Sequence, residues 1–316
     1  MFQLIASAMS ASKAPRLVVV DEAHCIYEWG LRQDVSHAVA ARTNDVAFRP
    51  DFASLGPTLI ALRAPVLLLT ATATPVTRRE IKESLFFRRP SDIVDITVEQ
   101  DRPELRRIRV HMGALGRKFA LAQALVSTRR RIEDIPPTII YARTIRETGQ
   151  ILRLLHQECP SVPDLPAFDS PLARRYHSLT AAREQERAKT DFVSGKTRIL
   201  IATSALGMGI NWNFVRIIMV FGARDPAEIE QCIGRGGRDN KLALCLFAIE
   251  SPGKAMNSAV RKAMTSLQSD LANEPDNEWC VAKYGTMKPA TCLAALALSE
   301  CCQAIAMKIY FKCVRR

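Results

Sequence analysis

The chain has 316 residues, 48% hydrophobic and 24% charged, a globular composition whose length suits about two domains, each large enough to bury a core. Lys and Arg outnumber Asp and Glu by 44 to 32, and the net charge of +12 favours a polyanionic partner, nucleic acid first and an anionic membrane surface second. No uncharged apolar run reaches the length of a membrane span, the nearest (292–307) carrying Glu300, and the first residues lack the basic region of a signal peptide, so neither is expected.

In chain order, six short apolar runs stand out: "RLVVVDE", "VLLLTATAT", "PPTIIYAR", "RILIATS", "RIIMVFG" and "ALCLFAIE". Continuous Val/Ile/Leu runs of this length suit parallel strands buried on both faces. Charged segments with helical character lie between them, at 77–87 and 179–195. Such alternation predicts an α/β architecture with a parallel sheet, in which functional groups gather at the carboxyl ends of strands. Asp21, Thr70, Thr203 and Gly207 fall there. A polar, Pro-containing segment at 98–107 separates two groups of strands, which sets one lobe at 1–100, a second at 101–250 and a tail at 251–316. Five of the nine Cys lie in the last 37 residues, and no pair has C-x-x-C spacing. Free thiols in a reducing compartment are the expectation, not a disulfide framework or a zinc site.

Two constellations carry chemistry. Asp21-Glu22-Ala23-His24 follows an apolar strand; a strand-end Asp can hold Mg²⁺ through water, and the adjacent Glu can polarise the water that attacks a γ-phosphate. An ordinary acidic turn is the alternative. "GRGGRD" (234–239) follows Gln231, and its two Arg, three residues apart, share one face of a helix or tight turn. They can reach a phosphate supplied by another lobe, or touch a nucleic-acid backbone.

These segments occur in a fixed order: "DEAHCIYEWG", "FRPDF" (48–52), "LLLTATATP" (67–75), "DRPEL" (101–105), "TIIYART" (138–144), "ILIATSALGMGIN" (199–211) and "QCIGRGGRD" (231–239). Over most of 17–250 the chain resembles the RecQ-type superfamily 2 DNA helicases. The resemblance implies two RecA-like parallel-sheet domains, the first incomplete, plus a short helical C-terminal tail. It implies ATP and Mg²⁺ as cofactors and 3′–5′ unwinding of DNA in recombination or repair. Single-stranded DNA and duplex junctions would be the partners, with no membrane partner. The location would be nuclear in a eukaryote and cytoplasmic or chromosome-associated otherwise. By the same resemblance, Asp21 and Glu22 serve Mg²⁺ and water activation, and His24 couples the nucleotide to motion. Thr70, Ala71 and Thr72 link hydrolysis to DNA. Trp29, Phe48 and Arg49 belong to an aromatic-rich loop that senses single strands. Thr144 and Thr203 grip backbone phosphates. Gly207, Gly209 and Asn211 form a turn near the nucleotide, and Gln231, Arg235 and Arg238 close over the γ-phosphate.

Four departures qualify the resemblance. The sequence contains no G-x-x-x-x-G-K-[ST], the loop that cradles a triphosphate. "SGKT" (194–197) fails because Thr190 stands where the first Gly must be, and Gly195 reads as a helix C-cap. With about 20 residues before Asp21, the chain reads as a fragment of a longer product or a degenerate copy, and it is expected to hydrolyse ATP poorly by itself. Residues 31–47 interrupt the aromatic loop. "YHSL" (176–179) is one residue shorter than the family pattern, and so is the tract before Gln231. Cys280, Cys292, Cys301, Cys302 and Cys313 occupy the region where the family often adds a zinc module, but their spacing makes zinc unexpected. A non-catalytic DNA-binding remnant, a fragment unable to fold and an RNA helicase are the rival expectations.

Overall fold

The computed structural model describes residues 17–27, 55–62, 64–73, 75–85, 93–96, 102–112, 119–127, 131–159, 172–203, 206, 210–222 and 226–250. The chain divides into two compact units, with the division between Glu99 and Gln100.

In the first unit, β1 (Val18–Val20) and β2 (Val66–Leu68) pair in parallel with Val19 opposite Leu67. Helix α1 (Leu55–Leu62) precedes β2, and α2 (Pro75–Ser84) follows it. Pro75 suits the first turn of α2, where its missing N–H would have had no helical partner. The pleat sends Val18, Val20, Val66 and Leu68 toward a small core of Ala23, Ile26, Leu59, Leu62, Ile81 and Leu85. The opposite face of the ribbon exposes Leu17, Val19, Leu67 and Leu69.

The second unit is built on one six-stranded, all-parallel sheet. Its strands are β3 (Leu105–Met112), β4 (Thr138–Tyr141), β5 (Ala173–Tyr176), β6 (Ile199–Ala202), β7 (Ile217–Phe221) and β8 (Ala243–Glu250), in the spatial order β3-β8-β7-β4-β6-β5. Helices α3 (Ala120–Ser127), α4 (Ile145–Glu158), α5 (Ala182–Val193) and α6 (Pro226–Ile233) cover it. Successive residues of a buried strand face opposite layers. Ile140, Ile201 and Met219 pack with Val126 of α3 and Ile151 and Leu155 of α4, while Ile139, Leu200 and Ile218 pack with Phe192 of α5 and Ile229 and Ile233 of α6. Leu206, Ile210, Trp212, Phe214 and Val215 join the α5–α6 layer. The chain from β6 to β7 therefore returns across that face from the carboxyl end of one parallel strand to the amino end of the other. Phe192 anchors this return, its ring 5.1 Å from Trp212 and 5.3 Å from Phe214.

The six apolar runs are β1, β2, β4, β6, β7 and β8. Two strands had no such signal. The segment read as a polar boundary at 98–107 becomes β3 from Leu105 onward, and β5 is "ARRY". Among the described residues both lie at the edges of the sheet, where one side of the strand has no ladder partner and charged residues are tolerated. Their arginines hid them from a search for apolar runs.

"SGKT" ends a helix. Ser194 N–H donates to Thr190 O at 2.9 Å, Gly195 N–H to Phe192 O at 3.2 Å, and Thr197 N–H to Asp191 O at 2.9 Å. Gly195 sits at φ +76°, the left-handed conformation of a helix-terminating glycine. Among the described residues no helix is long and apolar enough to cross a membrane.

Candidate functional site

The acidic half lies where β1 ends. Asp21 is exposed and its Oδ1 accepts from Glu22 N–H at 2.9 Å. Glu22 adopts φ +51°, a conformation that an L-residue with a long side chain rarely holds, at a cost of about 1–3 kcal/mol. Ala23 N–H donates to Leu69 O at 2.8 Å, so the turn is locked onto the end of β2. That lock brings His24 to Thr70: Nδ1 lies 3.0 Å from Thr70 Oγ1 and 3.3 Å from Glu22 Oε2. Thr70 Oγ1 also accepts from Thr72 N–H at 3.3 Å. One hydroxyl thus joins the Asp-Glu-Ala-His turn to the Thr-Ala-Thr turn, 46 residues apart. His24 and Thr72 are buried, whereas Asp21 and Thr70 face solvent.

The basic half follows α6. Gln231 lies in the last turn of that helix, one turn before Arg235. Arg235 Nη1 donates to Ile210 O at 2.8 Å, and Arg238 Nη1 lies 3.4 Å from the same carbonyl. Arg238 Nη1 also donates to Asn211 Oδ1 at 2.7 Å and its Nε to Gly234 O at 3.1 Å. Asn211, Arg235 and Arg238 therefore converge. Among the described residues no carboxylate pairs with either guanidinium, and the buried Arg235 Nε has no hydrogen-bond partner. Burial first, then repulsion from Arg235 and Arg102, pulls the Arg238 pKa below the usual guanidinium value. Two adjacent cations without a counter-charge form a site that gains from an anion.

Thr144 and Thr203 lie just beyond the carboxyl ends of the adjacent strands β4 and β6. Thr144 is the N-cap of α4, with a reciprocal box: its Oγ1 accepts from Glu147 N–H at 3.2 Å, and Glu147 Oε2 accepts from Thr144 N–H at 3.1 Å. A phosphate reaching this helix start meets the Glu147 carboxylate, so Thr144 offers a less open anion site than its position suggests. Thr203 N–H donates to Tyr176 O at 3.3 Å. At the same edge the shortened Tyr-His turn is closed by His177 and Thr180, with Nδ1 3.1 Å from Oγ1, and by Gln185 Nε2, which donates to both backbone carbonyls at 3.0 Å. Trp29, Phe48, Arg49, Gly207, Gly209, the 31–47 interruption, the tail at 251–316 and its five cysteines lie outside the described residues.

Two groups of residues gained no role from the sequence. Arg216 and Asp239 form a bidentate pair at 3.1 and 2.6 Å, which fixes the end of the arginine-bearing loop to the start of β7 and holds the Asp239 carboxyl below its usual range. Arg102 donates through Nη2 to Gly236 O at 2.9 Å and pairs with Glu104. The signals were an Arg opening an apolar strand and the Arg of "DRPEL", and neither reveals its partner.

For Mg²⁺, Asp21 supplies one accessible carboxylate, which fits a cation that keeps most of its waters and takes its other ligands from phosphates. Among the described residues no group of three or more metal-binding side chains occurs. For a nucleotide, the arginine pair fits the terminal phosphates, while the sequence offers no phosphate loop.

A parallel sheet with helices on both faces and an arginine pair held beside a returning loop define a RecA-like lobe of the helicase class. Residues 118–240 match the family model for the helicase conserved C-terminal domain. The chain is similar to yeast (S. cerevisiae) Dbp5 bound to RNA and ADP BeF3, with a TM-score of 0.52 and 17% identity, covering 79% of this chain and 57% of that one. It is 30% identical over 246 residues to the ATP-dependent DNA helicase Q-like 5 of Arabidopsis thaliana, covering 76% of this chain and 23% of that protein. It is also 30% identical over 241 residues to the ATP-dependent DNA helicase RecQ of Pasteurella multocida, covering 74% of this chain and 32% of that protein. The chain belongs to the RecQ-type superfamily 2 helicases, and it spans a quarter to a third of the length of these relatives.

Proposed function

We propose that the chain carries the hydrolysis and coupling core of an ATP-dependent 3′–5′ DNA helicase acting in recombination or repair. The observation that supports this most is the pair of Arg235 and Arg238, held on one carbonyl beside Asn211 and with no carboxylate partner among the described residues. ATP with Mg²⁺ would supply the phosphoanhydride and the divalent charge. Arg235 and Arg238 bind the terminal phosphate and offset charge that grows as its bond breaks. In the first unit, Asp21 would hold Mg²⁺ through water, and Glu22, turned by its left-handed backbone, would polarise a neighbouring water. His24 transmits the state of Glu22 to Thr70 and Thr72, so the nucleotide and the DNA-facing turn respond together. Single-stranded DNA runs along the carboxyl edge by Thr144 and Thr203, helped by the net charge of +12.

A second reading rests on the net charge of +12: a helicase relative that binds DNA without turnover. Binding of a fluorescent, non-hydrolysable ATP analogue with Mg²⁺ separates the two. In Arg235→Ala and Arg238→Ala the affinity should fall at least about tenfold, the loss of one charge-assisted contact. Equal affinity in parent and variants would reject the first reading and leave the second.

A further inference from the structure

We propose that Arg102 is a positioning residue for the arginine pair, tying the arginine-bearing loop to the first described residues of the second unit. This rests on the reading of Arg235 and Arg238 as nucleotide contacts. Arg102 is the first described residue after the division between Glu99 and Gln100. Its Nη2 donates to the carbonyl of Gly236, between the two arginines. Glu104 orients it: the Arg102 Nε donates to the Glu104 carboxylate, whose pKa is held low chiefly by that bond.

The grip continues beyond one hydrogen bond. Ala243 N–H donates to Glu104 O at 2.8 Å, joining the strand after the arginine loop to the same segment. A Cβ on Gly237 would lie 3.0 Å from Glu104 Cγ and 3.3 Å from Leu105 Cδ2, so 104–105 closes directly over the loop. On the other side Gly237 N–H donates to Val215 O at 3.3 Å, and Asp239 grips Arg216. The loop is thus clamped from the β7 side and from 102–104, close to the boundary of the unit at Gln100. Arg102 also lies near enough to Arg238 to repel it, adding a third cation to the same neighbourhood. A displacement of 102–104 must therefore move the Gly236 carbonyl or break its bond, and either changes where Arg235 and Arg238 stand.

The test compares the full chain with Arg102→Met, which keeps the aliphatic stem, and Arg102→Lys, which keeps one charged donor. Backbone hydrogen exchange reads the loop directly. In Arg102→Met the amides of Gly236, Gly237 and Asn240 should exchange about tenfold faster. The β4 amides of Ile139–Tyr141 should not change, and Arg102→Lys should fall between. Unchanged loop exchange in Arg102→Met, or equal acceleration in β4, would overturn the proposal, the latter because Arg102 would then stabilise only the unit as a whole. In parallel, the affinity for the Mg²⁺-bound ATP analogue should drop in Arg102→Met, with Arg102→Met/Arg238→Ala little weaker than Arg238→Ala alone. Independent, additive losses would also overturn it. If Arg238→Ala by itself leaves the affinity unchanged, the nucleotide reading fails, while the exchange experiment still decides whether Arg102 holds the loop.

Discussion

Replacing Gly237 with alanine should deform the arginine loop while leaving the sheet below it intact. Gly237 adopts φ +60°, which an alanine holds only at a cost of about 1–2 kcal/mol. The new Cβ would also lie 2.9 Å from the carbonyl oxygen of Lys241, a backbone atom in the turn that Asp239 pins to Arg216. Relieving such an overlap by shifting backbone typically costs about 1–3 kcal/mol. Together the two effects predict a loss of about 2–5 kcal/mol, a large share of the roughly 5–15 kcal/mol that holds a domain folded. Urea unfolding followed by circular dichroism measures it. Gly149→Ala is the matched control: Gly149 lies inside α4, and its Cβ would meet only the end of the Arg175 side chain at 3.4 Å. Helix propensity then predicts that Gly149→Ala is neutral or stabilising by up to about 1 kcal/mol. Unfolding of Gly237→Ala within about 0.5 kcal/mol of the parent would refute the tight fit of the loop.

Thr70→Val keeps the shape of the side chain but removes the hydroxyl shared by His24 and Thr72 N–H. Two lost bonds predict about 1–3 kcal/mol of destabilisation in the first unit, and nucleotide should cease to alter DNA affinity; anisotropy titrations with and without the ATP analogue check the second outcome. Acid should weaken the second unit. Burial lowers the pKa of His156 and, with Arg175 nearby, that of His177, so the folded state binds these protons less readily than the unfolded chain. Their stabilisation is complete above the unfolded histidine value of about 6.5 and is lost as pH falls below it. Urea midpoints at pH 7.5 and 5.5 should differ less in His156→Gln than in the parent, and equal differences would contradict the assignment.

The interior of the sheet was legible because strands buried on both faces are written as unbroken apolar runs, as in Ile139–Tyr141 and Ile217–Phe221. Strands β3 and β5 were not, because an edge tolerates Arg106, Arg107, Arg174 and Arg175. Of these, Arg174 is buried only by pairing with Asp191 at 2.6 Å, a partner supplied by α5. Motif order nominates candidate residues, and it cannot tell how they meet. The Arg102–Gly236 contact spans 134 positions and the His24–Thr70 contact 46, distances set by parallel pairing and not by local spacing. The positive φ of Glu22 was equally hidden, since nothing in the tetrapeptide requires it.

Photolabelling tests most directly whether Arg235 and Arg238 meet the terminal phosphate of a nucleotide. An ATP analogue with a photoreactive group on its γ-phosphate, bound with Mg²⁺ and mapped by mass spectrometry, should label a peptide containing Gln231–Asp239. Label confined to other segments, or found nowhere at saturating probe, would contradict it.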